Sequence, residues 1–464
     1  MTTTCFNFSA RDELARFIDE RFEQYVQELT ELVAIPSVAW ESFDLDEVAR
    51  SAQKVQELAL DAGFDSAEVL TATYGKGQQG MPAVLASKSA APGYPTFVLY
   101  AHHDVQPAGD LELWETEPFK AQQKGDRLFG RGAADDKAGV IAHLAAFRAV
   151  KAVLGDDFRA GVTLFIEGEE EAGSPSFDSF IATYREKLSG DYIVVADSAN
   201  WRAGVPALTV GLRGVASGDI SVKVSDHAVH SGVFGGPLLD ANTVLIQLLA
   251  TLHDPQGSVA VEGLISSPEL EVEYSEEDFR ADSGIVKSMK LAGKGSITSR
   301  LWSQPAISVI GMDITPVSEA ANTLAATAKA RISVRLAPGQ DPAAAHSALA
   351  RHCAENNLFG AEITYSAVDS GRPYKGEVDG DGAQLALASF AQAWGVEPVK
   401  TGLGGSIPFI ATLTEVFPSA QILITGIEDP DTRAHSANES LFLPDFKKAI
   451  LAEALMISSQ CLDC

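Results

Sequence analysis

The chain has 464 residues, 46% of them hydrophobic and 21% charged, and its formal net charge is −28. This length suggests about two to four domains, the composition excludes wholesale disorder, and the acidity disfavours nucleic acid or an anionic membrane as a partner. No apolar run reaches the ~18 residues of a membrane span. The first residues lack the apolar region of a secretory signal, and four scattered cysteines form no disulfide framework, so a cytoplasmic enzyme is expected.

Residues 11–34 read as an amphipathic helix ending before Ile35-Pro36, and a second helix is predicted over about 45–63, stopping at Gly63. TFVLYA (96–101), VTLFIEG (162–168) and YIVVAD (192–197) are continuous apolar runs of strand length, and a long helical stretch (137–154) separates the first two. Buried strands alternating with helices predict βαβ units and a mostly parallel sheet. The middle of the chain differs. GDISVKV (218–224) alternates like a half-buried strand, followed by a helix (238–253), strands (306–311 and 328–336), a helix opened by an Asp cap (341–355) and a strand (361–367). The order β-α-β-β-α-β is the split, ferredoxin-like arrangement, here with an insertion over about 254–304. A helix (383–395), a strand (420–427) and a final helix (445–460) restore the first style. The expected fold class is α/β: one domain built from 1–211 and 373–464, interrupted by a smaller α+β domain over 212–372.

Residues of metal-ligand type follow the apolar strands. His102, His103 and Asp104 follow the first, Glu169-Glu170-Glu171 the second and Asp197 the third, while His435 comes soon after the late strand. Ligands of open α/β sheets bind outside the carboxyl ends of the strands, so these side chains are predicted to converge. The turn RGAADDKAG (131–139) adds Asp135 and Asp136 at the start of the long helix, with Gly132 and Gly139 permitting tight backbone. Mixed His and carboxylate donors suit zinc, with manganese or cobalt as replacements. The candidates exceed the needs of one tetrahedral ion, so two metals sharing a carboxylate fit better. A carboxylate outside that shell would act as general base.

With these motifs in place, YAHHDVQP, GRGAADDKAG, EGEEEAGS, VVADS, HSGVFGG, SVRLAPG, GGSIP and AHSANE together resemble the co-catalytic dizinc peptidases. That family includes carnosinases, cytosolic non-specific dipeptidases, acetylornithine deacetylases and succinyl-diaminopimelate desuccinylases, and the wording is most similar to the dipeptidase branch. The resemblance implies a zinc-peptidase-like domain with the smaller domain as a lid and dimerisation element. It implies two Zn2+ ions (Mn2+ or Co2+ as alternatives), one held by His102, Asp135 and Asp197, the other by Asp135, Glu171 and His435. Asp104 would orient His102, the Asp135–Asp136 bond would be cis, Glu170 would be the general base, and Glu169 would be the variable member of its triplet. His230 would reach the active site of the partner subunit in a homodimer and stabilise the oxyanion. Arg335 would grip the free C-terminal carboxylate of a dipeptide or short peptide, with Asn322 nearby and Ser406 donating to the substrate. The alternative activity is N-acyl amino acid deacylation or desuccinylation at the same site. A binding protein that has lost catalysis would lack inferred ligands or base, and all are present here.

The chain departs from the branch at 402–403, where REGGSIP becomes GLGGSIP, and at Ala325, where members often carry Pro. The first change removes charge near the substrate groove and favours a bulkier or less polar side chain. Trp114 and Phe119 read as core, His143 as packed and the Cys461/Cys464 pair as inert. No phosphate-binding loop and no Gly-x-Ser-x-Gly elbow is found.

Overall fold

The computed structural model describes residues 6–357, 359–405 and 408–459. Two compact units form: unit 1 comprises 1–210, 376–401 and 412–464, and unit 2 comprises 211–375 and 402–411. In chain order the main elements begin with α1 (Arg11–Val33), α2 (Asp46–Ala62), β1 (Ser66–Leu70), β2 (Ala83–Lys88), β3 (Thr96–His102), α3 (Lys137–Leu154), β4 (Gly161–Glu167), β5 (Tyr192–Ala199) and β6 (Ala207–Leu212). Next come β7 (Gly214–Lys223), α4 (Ala241–Ala250), β8 (Ala306–Asp313), β9 (Thr327–Leu336), α5 (Pro342–Glu355) and β10 (Glu362–Gly371). The chain then closes with α6 (Asp381–Trp394), β11 (Gln421–Glu428) and α7 (Leu443–Ser458).

In unit 1 the sheet order is β1-β2-β4-β3-β5-β11-β6. Its centre is parallel: β3 pairs with β4 and β5, and β5 with β11. Every residue of β4 is buried, which is why these strands read as unbroken apolar runs instead of alternating ones. The carboxyl ends of four parallel strands therefore share one edge. α3 has a mean hydropathy of 1.4 over 18 residues, enough by length and composition for a span, which the reading of the sequence did not register. It is a core helix, covered by α1, α2 and α7, and Ala138–Phe147 are all buried. Trp114 is buried as expected, whereas Phe119 is only half-buried, in a loop among the exposed Glu117 and Lys120.

Unit 2 has the order β8-β9-β7-β10, antiparallel throughout, which is the predicted ferredoxin-like topology. α4 and α5 cover one face, where Ala216, Ile220, Val222, Ile332 and Val334 pack with Leu245, Leu248 and Leu349. Each helix starts on an Asp cap: Asp240 accepts from the Thr243 N–H at 3.0 Å, and Asp341 from the Ala344 N–H at 2.8 Å. Alternate residues of β7 and β9, including Val215, Asp219, Arg331 and Arg335, lie on the other face.

Candidate metal centre

The predicted convergence occurs within unit 1. His102 is the last residue of β3, Glu169–Glu171 follow β4, and His435 lies in the loop after β11. Asp197 lies inside β5 and not after it, because β5 runs on to Ala199. The pairing shifts register here, with Ile424 opposite Val195 and Gly426 opposite Ser198; this bulge re-aims Asp197. Ligand atoms of His102, Glu170 and Asp197 lie within 4.8 Å of one another, as do those of Asp135, Glu171 and His435. Asp135 joins the two groups: Oδ1 is 3.2 Å from His102 Nε2, and Oδ2 is 3.0 Å from His435 Nε2. Glu171 Oε2 stands 3.2 Å from His435 Nε2, and Glu170 Oε2 stands 4.0 Å from His102 Nε2.

The surroundings fix these side chains. His102 Nδ1 is 3.1 Å from the Asp104 carbonyl oxygen. A carbonyl only accepts, so Nδ1 carries a proton, and Nε2 is the nitrogen that faces Asp135. The Asp104 carboxylate accepts from the backbone N–H groups of Glu170 (3.1 Å) and Glu171 (3.0 Å). One residue thus orients an imidazole through its backbone, with its Oδ1 also 3.4 Å from His102 Nδ1, and a glutamate pair through its side chain. Asp136 Oδ2 accepts from the His102 N–H at 3.2 Å, and the Asp135–Asp136 peptide is cis. Gly139 allows the close approach at this point, since a Cβ there would fall 2.2 Å from Asp136 Oδ1. Gly132 has φ +78°, which a side chain disfavours.

Two supports were not legible beforehand. Glu439, fully buried, accepts from the backbone N–H groups of Gly132 (3.1 Å), Ala134 (3.0 Å) and Asp135 (3.2 Å) and from Arg131 Nη1 (2.7 Å). It was in view within AHSANE, and a carboxylate four residues after a candidate ligand was its only signal. Glu169 accepts from the N–H groups of Met81 (2.8 Å) and Ser176 (2.7 Å), which anchors the loop after β4. His143 is packed, as expected, between the Tyr100 carbonyl (2.9 Å) and Glu453 (2.8 Å).

So many buried carboxylates repel each other. Burial, then Asp197, raises the Glu170 carboxyl well above its ordinary value, and burial lifts Asp197 to about 6. Hydrogen bonds to the Asp135 and Glu171 carboxylates hold the His435 imidazole up at about 10. Burial opposes ionisation of Asp135, but contacts with His102 and His435 outweigh it and hold that carboxyl low. An imidazole nitrogen facing a carboxylate at 3.0–3.2 Å needs a proton or a metal between them. The donor set fits two divalent ions sharing Asp135, with mixed N/O ligands of the kind zinc, manganese and cobalt accept.

Three further predicted residues, His230, Asn322 and Arg335, lie in unit 2. His230 is exposed and pairs with Thr323 in a short two-stranded ladder, and the Asn322 carbonyl accepts from the Ser231 N–H at 3.0 Å. His230 and Asn322 are therefore neighbours. Arg335 lies half-buried on β9. Ser406 lies outside the described residues.

The profile of Peptidase family M20/M25/M40 matches residues 98–459. The chain belongs to this peptidase family. A cysteinylglycine-S-conjugate dipeptidase of Corynebacterium striatum is 31% identical to this M20 chain over 441 residues, covering 93% of it and 94% of the relative. The solved structure of the di-peptidase Dug1p from Saccharomyces cerevisiae aligns over 97% of this chain and 98% of its own, with a TM-score of 0.74 at 25% identity. Human carnosine dipeptidase 1 aligns over the same shares, with a TM-score of 0.74 at 26% identity. The large mixed sheet and the α/β class are common to the M20 fold.

Proposed function

We propose that this M20 chain is a cytoplasmic, homodimeric dizinc dipeptidase, with Mn2+ or Co2+ able to replace zinc. The observation that carries the reading is Asp135, whose two oxygens face two imidazoles at 3.2 and 3.0 Å. The dipeptidase names of its relatives support the substrate class. His102, Asp135 and Asp197 would hold one ion, and Asp135, Glu171 and His435 the other. Two such ions, when bound, supply Lewis-acid polarisation of the scissile carbonyl and acidify water.

The chain's own residues do the rest. Glu170 takes the proton of the attacking water and passes it to the leaving amine. Asp104 holds Glu170 and Glu171 through their backbone N–H groups. His230 Nδ1 accepts from the Gly232 N–H at 3.0 Å, which leaves the proton on Nε2 as a donor for the oxyanion, acting in trans on the partner's site. Arg335 takes the C-terminal carboxylate in a bidentate fork, and Asn322 and Ser406 complete the binding of that end. The deciding experiment offers the zinc- or manganese-loaded protein a mixture of dipeptides, tripeptides and N-acyl amino acids and follows products by mass spectrometry. Release mainly from dipeptides is expected. Release only from N-acyl amino acids would move the chain to the deacylase branch.

A further inference from the structure

Arg213 and Arg335, both in unit 2, have no carboxylate partner among the described residues. Arg213 lies immediately before β7 and is only 8% exposed. Its backbone N–H donates to the Leu403 carbonyl at 3.1 Å, its Nε to the Gly404 carbonyl at 3.3 Å and its Nη1 to the Arg300 carbonyl at 3.5 Å. All three partners are uncharged. The β7–β9 register places Val215 opposite Arg335, so Arg213, two residues earlier, is the diagonal neighbour of Arg335 on the same face. Farther along β9, Lys329 and Arg331 share Asp219 at 2.5 and 2.7 Å. Among the described residues, Arg213 and Arg335 have no such partner within 4.0 Å. Burial, together with the Arg335 charge, pulls the Arg213 guanidinium down to about 10, as expected for a desolvated cation beside another cation.

The turn beside Arg213 offers no acid either. A Cβ at Gly402 would lie 2.7 Å from Cβ and Cγ of Trp302, and one at Gly404 would lie 3.0 Å from Arg213 Nη2. Trp302 leaves no room for a side chain at Gly402, Arg213 crowds Gly404, and the residue between them is Leu403.

We propose that Arg213 and Arg335 form a double-guanidinium anion site that selects dipeptides with Asp or Glu as the C-terminal residue. The proposal rests on the dipeptidase reading, in which Arg335 takes the α-carboxylate. That single negative charge leaves one of two positive charges uncompensated in a place poor in water. A second carboxylate, on the side chain of the same residue, completes the neutralisation, and two planar forks suit two carboxylates. The carbonyls of Gly404 and Arg300 orient Arg213 without cancelling its charge. Arg213 is thereby a specificity-determining residue, and an acidic side chain replaces the bulkier or less polar one expected from Gly402 and Leu403 alone.

The test compares kcat/KM of the metal-loaded enzyme for Ala-Asp, the near-isosteric Ala-Asn and Ala-Gly. Ala-Asp is expected to exceed Ala-Asn by at least about tenfold, a ratio that shrinks with added salt. Arg213→Gln should bring the ratio close to one, and Arg213→Lys, which keeps the charge without the fork, should retain part of it. Hydrolysis of all three dipeptides without an acidic preference would overturn the anion site and leave the dipeptidase reading standing. If the variants do not fold, the wild-type ratio still decides. If no dipeptide is cleaved, the dipeptidase reading itself fails. Calorimetric titration with L-aspartate against L-asparagine then decides the anion site, and equal affinities would overturn it.

Discussion

Glu439 offers the sharpest test of how this centre is held. Its carboxylate is fully buried, pairs with Arg131 at 2.7 Å and accepts three backbone N–H groups of the turn that carries Asp135. Arg131 is itself 2% exposed, so Glu439→Gln leaves a guanidinium with no buried counter-charge and turns an NH2 toward donors. Breaking a buried pair in this way costs about 3–5 kcal/mol. A backbone N–H left without an acceptor adds about 1–3 kcal/mol, so a loss of at least about 4 kcal/mol is expected. At roughly 2 °C per kcal/mol for a unit of this size, Tm should fall by about 8 °C or more. The metal-free protein, measured by scanning calorimetry, isolates this effect from ligand stabilisation. Metal content after gel filtration should also fall, because the Asp135 turn loses its anchor. Arg131→Met combined with Glu439→Gln should recover part of the lost Tm, since no unpaired cation remains. A single Glu439→Gln variant with Tm within about 2 °C of wild type and full metal content would refute the reasoning.

Four further outcomes follow from the same geometry. Glu170→Gln should keep both metals by elemental analysis and lose about 10²–10⁴ in kcat; normal turnover would remove Glu170 as the base. His230→Ala should lower kcat with metal content unchanged, and mixed dimers of His230→Ala with Glu170→Gln subunits should regain activity, because one site in each is intact; no recovery would exclude action in trans. Metal binding should strengthen as pH rises, since His435, held at about 10 in the metal-free protein, must lose its proton to ligate; about tenfold per pH unit is expected for each proton displaced, and calorimetry in buffers of different ionisation enthalpy counts those protons. Cys353 is 2% exposed and burial pushes its thiol up to about 11, so iodoacetamide at pH 8 should leave it unmodified until urea unfolds the protein, as read by peptide mapping.

The sequence by itself determined the elements and the chemistry-bearing ends. The apolar runs at 96–101, 162–168 and 192–197 could only be buried strands. The cap at Asp341 and the alternation in 218–224 located the smaller domain's parts, and the motif wording pointed to the M20 family. These signals are local: they depend on side-chain period, turn residues and spacing within a few dozen positions. Tertiary structure alone decided the rest. That Asp135 bridges two imidazoles located 33 residues before it and 300 after it depends on β11 joining β5 and on the turn pinned by Glu439. Asp197 reached the centre through a bulge inside β5, and Asp104 acted on Glu170 and Glu171 through backbone amides, which have no sequence signature. The uncompensated Arg213 emerged only once the β7–β9 register placed it diagonal to Arg335 and burial removed water from it. Charge type is written residue by residue, whereas desolvation and counter-charge are properties of the packed neighbourhood, and these set what a given Arg, Asp or Glu can do.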